Sequence, residues 1–199
     1  MAGIFAMKTT LAIDTATART QFAILKGDEL LWQKTEDGAT THGDVLAKFG
    51  SLAAKENVDH VIVGMGPGPF TGLRTGIVFA QSFAFAKGLP VHGICSLDAI
   101  AYGIELPEFI VATDARRKEL YWAKYVDGKR VGEPLVTAPS EIPTLPIFGE
   151  GALKYSLTTD TEHLYPKLIS FPSLVHVNEP MYLRHPDAVP MQEQKAERK

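Results

Sequence analysis

The run Gly64-Met-Gly-Pro-Gly-Pro-Phe-Thr-Gly-Leu-Arg-Thr-Gly76 concentrates the residue types that could hold an anion. Gly64, Gly66 and Gly68 allow the backbone a positive φ or a close approach by another group. Pro67 and Pro69 stiffen the same turn and withdraw two N–H donors. Thr71 stands where a helix N-cap belongs, and Arg74 projects from the first turn beyond it. Val58 to Val63 before the run is mostly apolar, and so is Leu73 to Ala86 after it. The run therefore reads as a strand-to-helix elbow with free amides, a place where phosphates dock. It matches no known nucleotide motif. No Lys-Ser or Lys-Thr follows, which excludes a P-loop, and Pro69 stands where the third glycine of G-x-G-x-x-G would fall. A tight turn that merely ends a strand has the same composition, and both readings stay open.

Asp14 and Asp114 each end an apolar strand. A carboxylate there can hold a hydrated cation, but more often it caps the turn, and the cap is the favoured reading. The six histidines, His42, His60, His92, His163, His176 and His185, include no pair three or four residues apart. With no H-E-x-x-H or C-x-x-C either, no metal site is expected. Cys95 is the single cysteine and lies among apolar residues, so a buried, inert thiol in a reducing cytoplasm is expected. Ser96 suits a helix cap better than a nucleophile, and there is no G-x-S-x-G elbow.

These residues need a framework. A length of 199 residues lies between one domain and two, and 45% hydrophobic content is enough for a core. The net charge of −3 gives no global basic field, so any nucleic acid would be held mostly by a partner. No apolar run is long enough to span a membrane. The first six residues lack a charged leader and read as a tail, an added remnant or the result of an alternative start at Met7.

Strands are expected at Thr9 to Ile13, Thr20 to Leu25 and Leu30 to Thr35, the last two joined by the turn Gly27-Asp28-Glu29. Residues 43 to 56 carry Val45, Leu46, Phe49, Leu52 and Ala53 at helical spacing. A strand at Val58 to Val63 follows, then a helix from Thr71 to Lys87 closed by Gly88. Val91 to Cys95 is a fifth strand, and Ser96 or Asp98 caps a short helix. The pattern then restarts: Phe109 to Thr113, Glu119 to Tyr125 and Lys129 to Val136, with a hairpin signal at Asp127-Gly128. A short strand at Pro146 to Gly149 and a short helix at Gly151 to Leu157 follow. Prolines at 134, 139, 143, 146, 166 and 172 exclude long elements afterwards. The second half reads as a truncated repeat of the first: 7–103 one unit, 104–185 a reduced second one, and 186–199 a tail with its last residues, Gln192 to Lys199, disordered.

Several segments together resemble the TsaB (YeaZ) family. They are Leu11-Ala-Ile-Asp-Thr-Ala-Thr17, the His42 segment, Gly66-Pro-Gly-Pro-Phe-Thr-Gly-Leu-Arg74, Asp114-Ala-Arg-Arg-Lys-Glu-Leu-Tyr-Trp-Ala123 and Glu179-Pro-Met-Tyr-Leu-Arg184. The resemblance runs in order from residue 9 to about 187. The chain departs from the family at Pro69, where Ser is usual. The resemblance implies an α/β, actin-like fold of two related βββαβα subdomains, the second reduced. It implies a non-catalytic scaffold in the bacterial machinery that makes threonylcarbamoyladenosine in tRNA. The partners implied are the catalytic paralogue TsaD and the ATPase TsaE, with tRNA bound only within the complex and a homodimer when the chain is alone. ATP and a metal would belong to those partners, and no cofactor is expected for the isolated chain. On the actin-like plan, residues that could touch a nucleotide or phosphate are Asp14, Thr15, Gly66, Gly68, Thr71, Arg74 and Asp114. A stand-alone phosphotransferase or peptidase of the same fold is the alternative.

The long second helix is apolar around most of its girth. Leu73, Ile77, Ala80 and Ala84 form one stripe, and Phe79, Phe83 and Ala86 a neighbouring one. Such a helix is buried on two sides. It is either a central core helix or one that packs the sheet with one stripe and a partner with the other. The resemblance implies a partner surface on the first two helices, near Val45, Phe49, Leu52, Phe79 and Phe83.

Overall fold

A computed structural model describes residues 8–38, 42–158 and 160–184. The expected tail at 186–199 and residues 1–6 lie outside them. The first half opens with an antiparallel meander, β1 (Thr9–Asp14), β2 (Arg19–Lys26) and β3 (Glu29–Asp37). Helix α1 (His42–Ala53) leads to β4 (His60–Gly64), and α2 (Phe70–Lys87) leads to β5 (Val91–Ile94). A strand that follows a helix pairs in parallel, and here β4 lies parallel to β1 and β5 parallel to β4. Helix α3 (Ser96–Ala101) closes the half.

The second half repeats the plan with less material. β6 (Glu108–Asp114), β7 (Leu120–Val126) and β8 (Lys129–Thr137) form a second antiparallel meander. The 3-10 turn Pro139–Glu141 occupies the place that α1 holds in the first half. β9 (Ile147–Phe148) pairs in parallel with β6, as β4 does with β1. α4 (Glu150–Lys154) is 5 residues long where α2 has 18.

The chain then crosses back. A 3-10 segment, Leu168–Ser173, lies on the face of the first sheet opposite α1 and α2, and β10 (His176–Val177) adds antiparallel to β5. The first sheet thus has the order β10-β5-β4-β1-β2-β3 and the second β8-β7-β6-β9. Residues 168–177 complete the first sheet although they follow the second in sequence. Gly93 permits this, because a Cβ there would meet Met65 and the Val177 carbonyl.

The core explains the elements. Leu73, Ile77, Ala80 and Ala84, four positions of one helical stripe, pack with Val45, Leu46 and Phe49 of α1 onto Leu11, Ile13, Val61 and Val63 of the sheet. Each large side chain buried this way stabilises by about 1.5–3 kcal/mol. On the opposite face Leu168 and Phe171 cover Ala12, Ala23, Leu25, Ile62 and Ile94. α3 lies between the sheets: Ala99 packs with the first, and Leu97 and Ile100 with Phe109, Val111 and Tyr125 of the second. The Tyr125 hydroxyl (2.7 Å) and Arg130 Nε (2.9 Å) both donate to Asp98 Oδ1, which ties α3 to the second meander.

Two expected caps are corrected. The N-cap of α2 is Pro69, and Thr71 lies inside the first turn. The Pro69 carbonyl accepts from Leu73 N at 3.0 Å, the first bond of the helix, so the start lies two residues before Thr71. The N-cap of α3 is Cys95, and Ser96 is instead the first helical residue, with its hydroxyl directed at Asp14. At the other end Gly88 closes α2 in the left-handed region (φ 67°), with Gly88 N bonded to Phe85 O and Leu89 N to Ala84 O.

Candidate functional site

The elbow is built by close backbone approach. Gly66 takes a φ of +91° and its carbonyl accepts from Ser96 N at 2.8 Å. Gly68 lies against the backbone of Ala16, where a Cβ would overlap the Ala16 carbonyl. In the first and second turns of α2, Gly72 and Gly76 face Thr15. Thr15 Oγ1 donates to Gly72 O at 2.8 Å. A Cβ on Gly72 would stand 3.1 Å from His42 Nε2, and His42 Nδ1 lies 2.6 Å from Thr20 Oγ1. The β1–β2 hairpin, His42 and the elbow, far apart in sequence, are thus one packed knot.

Asp14 sits inside the knot, fully buried. Its Oδ1 accepts from Ala16 N (2.9 Å) and its Oδ2 from Ser96 Oγ (2.6 Å). Burial pushes its carboxyl up to about 6, while the two hydrogen bonds pull it down. Of the residues named as phosphate contacts, Asp14, Thr15, Gly66 and Gly68 are buried, and the polar groups of the first two serve the protein itself. Thr71 and Arg74 are exposed, with the Arg74 guanidinium 5.8 Å from the Phe70 ring centroid. Asp114 belongs to the other half. Its Oδ1 accepts from Arg116 N (3.0 Å) and its Oδ2 pairs with Lys154 Nζ (2.9 Å) and Arg116 Nη1 (3.4 Å). The elbow set and Asp114 are therefore not one constellation.

Cys95 is buried, and burial pushes its thiol up to about 12, which leaves it protonated and unreactive. Among the described residues no group of three or more His, Cys, Asp and Glu side chains is placed to hold a metal ion. No helix of the described residues is long and apolar enough to cross a membrane.

The outer face of α1 and α2 is the apolar surface of interest. Val45 and Phe49, expected on a partner surface, are buried against the sheet, because their stripe is the one that the sheet covers. Phe79 and Phe83 are half-buried. Phe79 meets Phe22 edge-on at 5.6 Å and stands over Gly50. Leu52 is 39% exposed, and Val78 is 49% exposed. A groove of about 560 Å³ runs between the helices, lined by Leu46, Phe70, Thr71, Arg74, Val78 and Phe79 among others. Sequence reasoning missed Val78, which lies outside both stripes on the exposed side of α2 with Thr71 and Arg74, and the groove beside it.

The family model described as "TsaD: tRNA N6-adenosine threonylcarbamoyltransferase" matches residues 45–172. An uncharacterised protein of Mycobacterium tuberculosis is 38% identical over 93% of this chain and 96% of its own length. The Escherichia coli protein named tRNA threonylcarbamoyladenosine biosynthesis protein TsaB is 32% identical over 58% of this chain and 54% of its own. Among solved structures, YeaZ from Pseudomonas aeruginosa superposes with a TM-score of 0.67 at 27% identity, covering 84% of this chain and 90% of its own.

Proposed function

This chain belongs to the TsaB (YeaZ) family of tRNA threonylcarbamoyladenosine biosynthesis proteins, and from that premise we propose that it is the non-catalytic activating subunit of a tRNA threonylcarbamoyl-transferring assembly. Its main partner on this reading is a TsaD-type catalytic paralogue. A TsaE-type ATPase joins the pair, ATP and the metal are held by the partners, and the tRNA is bound within the complex.

The observation that carries this reading is the outer face of α1 and α2. Leu52, Val78, Phe79 and Phe83 present an apolar surface beside a groove, on the helices that frame the elbow. The TsaD family model matches this chain from Val45 in α1 through the whole of α2. Two chains of one fold can then meet through like faces, as the two halves of an isologous dimer do. The same face accounts for a homodimer in the absence of the partner. Aromatic anchors beside a groove are the kind of surface in which a few residues dominate binding.

The test is reconstitution. The chain is mixed with its TsaD paralogue, a TsaE-type ATPase, ATP, threonylcarbamoyl-adenylate and tRNA, and modified adenosine is quantified. The expected result is a stable pair, modification by the full mixture, little without this chain, and none by this chain alone. Modification by the isolated chain would point to an enzyme of the actin-like class. A mixture indifferent to this chain would overturn the scaffold.

A further inference from the structure

The hairpin between β6 and β7 departs from ordinary turn chemistry. Arg116, Arg117 and Lys118 take φ values of 62°, 50° and 62°, three consecutive non-glycine residues in the left-handed region. Glycine or asparagine relieves the crowding that a Cβ suffers there, and long side chains do not. The turn is fixed around them: Ala115 N donates to Glu119 O (3.0 Å), Glu119 N to Arg116 O (2.9 Å), and Arg116 N to Asp114 Oδ1 (3.0 Å). All three cationic residues are exposed. Strain of this kind persists where the surroundings enforce it, and it gathers at functional sites. Three adjacent positive charges are kept where smaller residues would fit the backbone better.

The hairpin is not isolated. Arg184 Nη1 donates to the Ala115 carbonyl at 3.0 Å, and Arg184 also pairs with Glu119. Two residues earlier, Tyr182 packs on Phe70 with ring centroids 5.0 Å apart, and Arg74 lies over the other aromatic of that pair. A chain of contacts, Arg74 to Phe70 to Tyr182 and then Arg184 to Ala115, therefore leads from the first turn of α2, beside the groove, to the β6–β7 tip. Asp114, Glu119 and Glu150 offset part of the charge. Asp114 is nearly buried beneath Arg116 and Lys154 and Glu119 is paired with Arg184, so the exposed charge of the tip is that of Arg116, Arg117 and Lys118.

We propose that the Arg116–Lys118 hairpin tip is an RNA-phosphate contact through which this chain touches the tRNA acted on by its assembly. The proposal rests on the scaffold reading above. A chain with a net charge of −3 has no general attraction for RNA, so a local cluster must supply any contact it makes. Arginine forks match phosphate oxygens in pairs, and Tyr182, 41% exposed two residues before Arg184, offers a stacking surface to an unpaired base.

The experiment uses the complex of this chain with its TsaD paralogue and a fluorescent anticodon stem-loop RNA, followed by anisotropy over a salt series. The double variant Arg117→Asn with Lys118→Gly removes two charges and places residues that tolerate the left-handed backbone. Its melting temperature should equal or exceed that of the parent, and the complex should still form. RNA affinity at low salt should fall about tenfold or more, and the slope of log affinity against log salt should become shallower by about 1.4–1.8, the share of two phosphates. The charge-keeping pair Arg117→Lys with Lys118→Arg should retain the parent slope. An unchanged slope and affinity in the double variant, with the complex intact, overturns the hairpin proposal and leaves the scaffold reading standing. Loss of pairing with RNA binding kept makes the tip a protein contact and overturns it too. If the unaltered chain neither pairs nor stimulates modification, the scaffold reading fails and the hairpin proposal falls with it.

Discussion

Asp14 and Asp114 end the first strand of each sheet and make the same turn. Asp14 Oδ1 accepts from Ala16 N at 2.9 Å, and Asp114 Oδ1 accepts from Arg116 N at 3.0 Å. Their surroundings then diverge. Asp14 is sealed by Ser96 and Gly64, where even a Cβ would overlap the carboxylate. Asp114 is met by Arg116 and Lys154. The same local turn is a buried knot in one half and the root of a charged hairpin in the other.

The knot predicts a pH effect of defined sign. With the Asp14 carboxyl pushed up to about 6, the folded chain keeps a proton that the unfolded chain releases from about pH 4 upward. Its contribution is fully present below that and is lost as pH rises to about 6. Asp14→Asn removes this titration. The stability of the variant minus that of the parent should increase between pH 4 and 6, by about 3 kcal/mol in all, and stay level above. Urea titrations of both proteins across that range check it, and a difference that does not change with pH counts against the buried carboxyl. The difference is needed because His60, pushed down to about 4 by burial, acts with the opposite sign in the same window.

The elbow glycines should rank by what a Cβ would strike. At Gly68 it meets the backbone of Ala16, which cannot move aside cheaply. At Gly72 it stands 3.1 Å from the His42 ring and the Thr15 carbonyl. Gly68→Ala should therefore destabilise by about 1–3 kcal/mol, in the range of overpacked cores, and Gly72→Ala by less. Thermal melts give the order, and the reverse order would refute the packing argument.

Partner binding and folding should separate on α2. Val78 is 49% exposed, so Val78→Asp should change stability by no more than about 0.5 kcal/mol. On the scaffold reading it should still abolish pairing with the TsaD paralogue, since it buries an unpaired charge. Phe79→Ala should cost about 2 kcal/mol of stability through lost contacts with Phe22, less than a fully buried Phe because Phe79 is half-buried. Calorimetric titration beside melting reads both. A folded Val78→Asp chain that pairs normally moves the interface elsewhere.

The returning segment should stabilise the first sheet. Phe171 is fully buried against Ala12, Leu25 and Ile94, whereas Ile169 is 42% exposed. Phe171→Ala should destabilise by about 3–5 kcal/mol, and Ile169→Ala by far less. Chemical denaturation of the two variants tests it, and equal effects would mean that the segment does not seal the sheet.

The meanders were legible because their signals are local. Gly27-Asp28, Asp127-Gly128 and Gly88 each supply the positive φ that a turn or cap needs. The apolar stripe of α1 was legible as a stripe, but spacing alone does not say whether Val45 and Phe49 face the sheet or a partner. The bond from Ser96 to Asp14 joins residues 82 positions apart and leaves no local trace. β10 is two residues long and exists only because β5 offers an edge. In the candidate site the elbow was visible as a glycine cluster, while the tenants of its glycines, Ala16 and Thr15, came only from tertiary packing. The left-handed run at Arg116–Lys118 had one possible signal, a tight turn between strands with no Gly or Asn in it.

The return of β10 to β5 has a consequence for the order in which the chain leaves the ribosome. The first sheet is nearly complete in sequence by Ile94, yet its outer edge waits for His176 and Val177 and one of its faces waits for Leu168 and Phe171. During synthesis of the whole second meander, β5 is an uncovered edge, a template for the wrong strand. The two halves therefore do not mature one after the other as independent translation products. The first is finished by the last described strand, and a chain cut short anywhere before His176 leaves the first half unfinished as well as the second.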